Sequence, residues 1–175
     1  NDEFAVLDRF LALLPACRFG SSAPEARGYT LVYLKTGAKT GLSKEESQAI
    51  FAGHFANMQR LAGERKLLLA GPFGKHKHDE ALRGLFILDT EDPAEARAWA
   101  ETDPGFQAQV FALEYHPLRT QAALRALLER ELAIEEQDKA AGRQPDMAER
   151  LRNYVLLTCS QGAEMAQELA GELLR

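Results

Sequence analysis

The chain has 175 residues, a formal net charge of −5 and a hydrophobic fraction of 46%. This length fits one domain with extensions, and the apolar fraction is large enough for a sizeable core. The acidic balance argues against a nucleic-acid surface, and no apolar run approaches the length of a membrane span. We therefore expect neither a nucleic acid nor a membrane as a partner.

The start of the chain is predicted to form a helix and a loop outside the main fold. Residues 2–14 carry apolar side chains at the helical period, and Pro15 ends the run. The following loop, residues 20–28, is rich in Gly, Ser and Pro. The first residue is Asn1 rather than Met, so we expect that an upstream segment has been removed. The compartment stays open between the cytoplasm and, if that segment was a signal peptide, the periplasm or the exterior.

The two cysteines, Cys17 and Cys159, lie far apart, and no metal-ligand spacing joins them. In a reducing compartment we expect two buried thiols. In an oxidising compartment they can form a disulfide that links the N-terminal segment to the C-terminal one, and their Cα atoms would then lie within about 7 Å. Both alternatives stay open with the compartment.

Residues 28–117 are predicted to alternate strands and helices. Apolar runs indicate the strands, and helical periods with capping residues at Ser43 and Asp92 indicate the helices. The predicted strands cover residues 29–35, 66–70, 84–89 and 109–116, and the predicted helices cover residues 43–63 and 92–103. The order β-α-β-β-α-β is the ferredoxin-like α+β plan, in which two split βαβ halves surround an antiparallel sheet.

One face of such a sheet has no helix to cover it. The first predicted strand, residues 29–35, is nevertheless apolar on both of its faces. A bare apolar sheet face is usually covered by a second copy of the chain, so we predict a homodimer through this face. The C-terminal extension packed on the same face would be the alternative cover.

The chain after residue 118 is predicted to be an α-β-α extension. Its elements are a long helix over residues 120–140, a strand over residues 154–159 and a last helix over residues 163–174. The expected division of the chain is an N-terminal helix and linker in residues 1–27, the ferredoxin-like domain in residues 28–118 and the extension in residues 119–175.

A histidine interrupts the apolar face of the first long helix. The face consists of positions three and four residues apart, namely Ile50, Phe51, His54, Phe55, Met58 and Leu61. A titratable ring on that face is either buried or lines a pocket, and in both cases it needs a polar partner. His54 is therefore the first candidate for a functional residue.

Asp103 is the candidate partner of His54. Pro104 moves Asp103 out of the helical region, so this carboxylate is expected at the C-terminus of the second helix. The negative end of a helix disfavours an anion, which would then need a compensating group. Two interpretations stay open: a proton-transfer pair, or a core histidine beside an ordinary Asp-Pro turn. The spacing alone favours the second.

No metal or cofactor is predicted. His76 and His78 are two residues apart, as in some metal sites, but flanking lysines repel a cation and a solvated loop is favoured. His116 stands at a strand end and is expected to be exposed. The sequence from Gly71 to Gly74 is expected to end a strand, with the rim of a pocket as its second interpretation.

Four segments in this order resemble the YCII-related (YciI-like) family over about residues 28–118. They are Tyr-Thr-Leu-Val-Tyr-Leu from Tyr29, Gly-His-Phe-Ala-Asn-Met-Gln-Arg-Leu-Ala from Gly53, Leu-Leu-Leu-Ala-Gly-Pro-Phe-Gly from Leu67, and Trp-Ala-Glu-Thr-Asp-Pro-Gly-Phe from Trp99. The resemblance implies a dimeric α+β barrel similar to muconolactone isomerase, with His54 and Asp103 together in a cleft. One departure is Gly105, since the family commonly has Phe directly after this Pro.

The resemblance favours the functional interpretation of His54 and Asp103. It implies a small enzyme, with a link to the breakdown of halogenated aromatics in some members. We predict a cofactor-independent isomerase or lyase in which this pair transfers protons on a small, partly apolar substrate. The candidates for the substrate-binding wall are Phe51, Phe55, Met58, Gly71, Pro72 and Phe73. The alternatives are a non-catalytic module that binds a small ligand and a purely structural dimer.

Overall fold

The computed structural model describes residues 26–75, 77, 79–120 and 123–144. Several predictions fall outside these residues. They concern the helices and strand predicted over residues 2–14, 154–159 and 163–174, the cysteines Cys17 and Cys159, and the histidines His76 and His78.

The described residues form strands and helices in the predicted order, with one additional short helix. The strands are β1 (Arg27–Thr36), β2 (Leu67–Pro72), β3 (Leu82–Leu88) and β4 (Phe111–Thr120). The helices are α1 (Lys44–Gly63), α2 (Pro93–Ala100), α3 (Pro104–Gln107) and α4 (Leu124–Ala140). Within the residues that the structure describes, no helix is long and apolar enough to cross a membrane.

The strands form one antiparallel sheet in the order β2-β3-β1-β4. β1 lies in the centre of the sheet, and its Val32 pairs with Phe86 on one side and with Tyr115 on the other. In each βαβ half, a strand of the other half lies between the two strands that the helix connects: β3 lies between β1 and β2, and β1 lies between β3 and β4. This arrangement defines the split βαβ plan. The predicted α+β, ferredoxin-like fold is confirmed.

Local signals fix where the first two helices begin. The Ser43 side chain accepts from the Glu46 backbone N–H at 3.1 Å, and the Ser43 N–H donates to the Glu46 carboxylate at 2.9 Å, which completes the predicted capping box. Asp92 caps α2 by accepting from the Ala94 N–H at 2.8 Å. These caps satisfy backbone donors at the start of each helix.

The end of β2 differs from the prediction. Gly71 and Pro72 belong to the strand, where they pair with Leu85 and Gly84, whereas the sequence predicted that they stop it. β2 lies at the edge of the sheet. An edge strand tolerates proline because the missing N–H need not reach a neighbour.

Two apolar clusters lie on opposite faces of the sheet. The first contains Val32, Phe86 and Phe111 and packs under the helices α1 and α2. The second surrounds α4, whose Leu124 and Leu128 pack with Tyr29 and Leu68. Successive strand residues alternate between the faces, so β1 can contribute to both clusters. The helix of the extension therefore covers part of the face that was expected to be bare.

Candidate active site

His54 lies on the buried face of α1. The buried residues of this helix are His54, Asn57 and Leu61, which follow the three- and four-residue steps of one face. Only 7% of His54 is exposed. The imidazole is therefore buried between α1 and the rest of the domain, which is one of the two alternatives that the apolar stripe left open.

Asp103 is at the start of a helix rather than at the end of one. α2 already ends at Ala100, and Pro104 begins the short helix α3 with Asp103 as its N-cap. Asp103 Oδ1 accepts from the backbone N–H groups of Gly105 at 2.8 Å and Phe106 at 3.4 Å. The prediction of a carboxylate at a helix C-terminus is wrong, because proline is well suited to the first position of a new helical turn. An N-terminal position stabilises the anion instead of opposing it.

The two candidate side chains meet directly. His54 Nδ1 lies 2.6 Å from Asp103 Oδ2, and Asp103 has no exposed surface. An ionised carboxylate only accepts hydrogen bonds, so in a hydrogen bond between the two side chains Nδ1 carries the donated proton. The predicted contact is confirmed. We call these residues the His54–Asp103 pair.

The contact with Asp103 uses only one of the two ring nitrogens of His54. Nε2 has no hydrogen-bond partner among the described residues. In the same part of the chain, the buried side-chain nitrogen and oxygen atoms without a partner are Asn57 Nδ2 and Asp89 Oδ1. In a neutral imidazole whose Nδ1 carries the proton, Nε2 is the basic nitrogen.

Aromatic rings surround the imidazole. Phe86 stacks on it with ring centroids 5.9 Å apart and an interplanar angle of 19°, and Phe111 meets it edge-on at 5.3 Å. Phe51 lies at 6.2 Å and Phe55 at 5.4 Å. Sequence reasoning missed Phe86 and Phe111. The available signal was their inward position on the strands that face α1.

The predicted wall residues separate into two groups. Phe51 and Phe55 contact His54, and Met58 packs against the helix-side core. Phe73 instead contacts Tyr33, with ring centroids 5.9 Å apart. Tyr33 pairs with Leu85, on the sheet face opposite the His54–Asp103 pair, and Gly71 also pairs with Leu85. A substrate-binding role for any of these residues, Pro72 included, stays a prediction.

Clefts open at both ends of β1. The cleft at its C-terminal end has a volume of about 190 Å³, and its wall includes Lys39, Arg83 and Phe111. Phe111 lines this cleft and also contacts the imidazole of His54. Neither His54 nor Asp103 lines the cleft. A larger cleft of about 420 Å³ at the other end is lined by Arg27, Arg119 and Arg125 with Asp89 and Glu91.

No metal site is evident in the part of the chain that the structure describes, where no group of three or more His, Cys, Asp or Glu side chains is placed to bind an ion. Among the described residues, two histidines each contact one carboxylate. His116 Nε2 lies 2.8 Å from Glu114 Oε1. The prediction that His116 stands at an exposed strand end is wrong, because β4 continues through Pro117 to Thr120 and His116 is half-buried beside Tyr33. The His54–Asp103 pair is buried.

The fold and the site define a ferredoxin-like α+β protein with a buried histidine–carboxylate pair. The sequence profile of the YCII-related domain matches residues 30–119, and the chain belongs to this family. No curated protein matches the chain significantly.

One similar solved structure is a 5-chloro-2-hydroxyhydroquinone dehydrochlorinase from Burkholderia phenoliruptrix AC1100, in complex with 2,5-dihydroxybenzoquinone. It is 26% identical with a TM-score of 0.37, and the alignment covers 53% of this chain and 92% of that chain.

Proposed function

We propose that this protein is a small cofactor-independent enzyme in which His54 and Asp103 transfer protons. The observation that carries the proposal is the 2.6 Å contact between His54 Nδ1 and Asp103 Oδ2. This contact uses one ring nitrogen, and Nε2 has no hydrogen-bond partner in the part of the chain that the structure describes. A carboxylate bonded to one ring nitrogen orients the imidazole and stabilises the imidazolium that forms when the other nitrogen takes a proton.

The reaction that fits this pair is proton abstraction followed by isomerisation or elimination. Nε2 removes a proton from the substrate, and Asp103 stabilises the resulting imidazolium. The electron pair left on the substrate forms a new double bond. In an isomerisation the imidazolium returns the proton at another atom. In an elimination a leaving group departs with its electron pair, and the proton is released to water.

The surroundings of His54 favour a small, partly apolar substrate. Phe55 is 53% exposed and touches the imidazole, so it is placed to contact a molecule that approaches Nε2. Phe51, Phe86 and Phe111 supply further aromatic surface around the ring. Aromatic surfaces bind planar rings well. Together with the family resemblance, this makes halogenated hydroxyaromatic compounds the first substrates to test.

The decisive experiment follows a proton in deuterated water. We would incubate the protein with a panel of chlorinated hydroquinones and cyclic enones, and measure halide release, isomer formation and deuterium incorporation. We expect turnover that His54→Gln reduces by about a hundredfold or more. His116→Gln, checked for an unchanged oligomeric state, is the matched control, because it removes a second carboxylate-bonded imidazole that lies beside Tyr33 on the opposite face of the sheet. Equal activity of wild type and His54→Gln would overturn the proposal.

A second candidate function is a non-catalytic structural or ligand-binding module. The observation that favours it is the enclosure of the imidazole by Phe51, Phe55, Phe86 and Phe111. In that case His54 contributes mainly to packing. His54→Gln would then lower the free energy of unfolding, and neither wild type nor variant would show turnover. Replacing a catalytic residue, by contrast, often leaves the free energy of unfolding unchanged or raises it.

We also propose a homodimer through the part of the sheet face that α4 leaves open. Tyr33, Leu69 and Leu85 lie on this face and are half-buried. The face also carries the Tyr33–Phe73 contact. An apolar sheet surface with aromatic side chains is typical of an interface between copies.

A further inference from the structure

Two consecutive residues between α2 and α3 are bonded to side chains of α1. His54 contacts Asp103, as described, and Arg60 donates to Thr102 Oγ1 at 3.0 Å. Asn57 lies between these positions on α1, and its Oδ1 accepts from Arg60 at 2.7 Å and lies 3.2 Å from Thr102 Oγ1. Each of positions 54, 57 and 60 is three residues from the next, so neighbouring side chains in this series lie side by side on the helix. These side chains together link α1 to the junction that carries Asp103.

The orientation of the Asn57 amide follows from its partner. A guanidinium only donates hydrogen bonds, so the atom of Asn57 that meets Arg60 must be the oxygen. The Nδ2 group then points away from Arg60, and it is buried without a partner among the described residues. An unpaired buried donor destabilises a protein. Asn57, which is 8% exposed, is thus not the best residue for packing alone.

Thr102 has one hydroxyl proton for two acceptors. Its Oγ1 lies 2.6 Å from the Trp99 carbonyl and 3.2 Å from Asn57 Oδ1. The shorter contact takes the proton. The connection between Asn57 and Thr102 is then made mainly by Arg60, whose Nη2 donates to both. The oxygen of Asn57 thus holds the Arg60 guanidinium beside Thr102, and the NH2 group of Asn57 takes no part in this contact.

We propose that Asn57 is a positioning residue for the His54–Asp103 pair. Through Arg60 and Thr102, its Oδ1 keeps the α2–α3 junction at the distance from α1 that gives the short contact between His54 and Asp103. The effect on turnover rests on the proposed function. The effect on the geometry of the pair does not rest on the proposed function, because this geometry is present in the protein without substrate.

The test separates the oxygen of Asn57 from its NH2 group. Asn57→Leu removes both at similar volume, and Asn57→Asp retains an acceptor for Arg60. Glu64→Gln is the control, because Glu64 binds Nη1 of the same arginine and does not reach Thr102. The readout is the NMR signal of the His54 Nδ1 proton in full-length protein without substrate, together with its rate of exchange with solvent.

We expect the Nδ1 proton to exchange at least about fivefold faster in Asn57→Leu, because a hydrogen-bonded constraint on Asp103 is lost. Its signal should also move away from the wild-type position. Asn57→Asp should restore both properties, and Glu64→Gln should leave both unchanged. Unchanged exchange in Asn57→Leu, or no restoration in Asn57→Asp, would overturn the proposal.

Two further measurements keep the test independent of folding and of catalysis. If Asn57→Leu does not fold, Arg60→Met removes the bridge from an exposed side chain, and an unchanged Nδ1 signal in that variant would equally contradict the proposal. If His54→Gln has no effect on turnover while Asn57→Leu still changes the Nδ1 signal, the proposed enzyme function fails and the positioning role stands.

Discussion

Gly105 and Phe111 are in direct contact behind the His54–Asp103 pair. A β-carbon at position 105 would lie 2.5 Å from Cδ2 of Phe111 and 2.9 Å from Oδ1 of Asp103. The Phe111 ring in turn touches the imidazole of His54. The missing β-carbon at position 105 therefore lets an aromatic ring approach the site.

Gly105→Ala should destabilise the protein through this contact. The added methyl group must displace Phe111, which costs about 1–3 kcal/mol in a packed core. Urea unfolding would measure the change in the free energy of unfolding. Gly74→Ala is the control, because a β-carbon there meets nothing within 4 Å. Equal effects of the two substitutions would contradict a close contact at Gly105.

Asp103→Asn should separate proton transfer from stability. An asparagine remains a good N-cap and can still accept from the Gly105 N–H, so we expect a stability loss below about 1 kcal/mol. Its NH2 group would face His54 Nδ1, which must then accept, and the ring proton moves to Nε2. Because Nε2 then carries a proton, it no longer acts as a base, and turnover should fall by about a hundredfold or more.

Two measurements check Asp103→Asn. ¹⁵N NMR of the imidazole reports which nitrogen carries the proton, and thermal unfolding reports stability. A variant that keeps the wild-type tautomer would show that Asp103 does not determine it, and a variant that unfolds would show that the carboxylate is mainly structural.

Leu85→Lys should weaken the proposed homodimer. The side chain lies on the open sheet face beside Tyr33, and a charge there would be buried without a partner in the interface. We expect a shift from dimer to monomer in sedimentation equilibrium. Leu127→Lys, at an exposed apolar residue of α4, should leave the mass unchanged. A wild-type protein that is monomeric at all concentrations would contradict the dimer itself.

Tyr115 should make the stability depend on pH in the alkaline range. Burial, and then the nearby Glu101 carboxylate, raise the pKa of Tyr115 from 10.0 to about 12. Above pH 10 the unfolded chain loses this proton before the folded one does, so the unfolded state is favoured. The contribution is fully present below pH 10 and is lost as the pH rises to about 12.

Unfolding by urea between pH 9 and about pH 12 would test this linkage. Tyr115→Phe retains the ring that stacks on Arg97 but cannot ionise, so its stability should fall less steeply than that of wild type over this range. Parallel curves for the two proteins would show that Tyr115 does not titrate as described.

The sequence by itself determined the elements whose signals are local. The Ser43–Glu46 capping box and the Asp92 cap depend on residues within one turn, and both helices begin where these residues predict. The buried position of His54 follows from the period of a single helix. The order of the elements then restricts the fold to few arrangements, of which the ferredoxin-like sheet is one.

Only the tertiary structure decided what surrounds His54. Asp103 is 49 residues away in the chain, and its charge is stabilised by a helix that begins at Pro104, not opposed by one that ends there. The site also includes Phe86, Phe111 and Asn57, because β3, β4 and α1 pack together. On the other side of the sheet, α4 covers part of a face that the sequence predicted to have no covering helix. Such contacts depend on how distant elements meet, which side-chain periodicity does not encode.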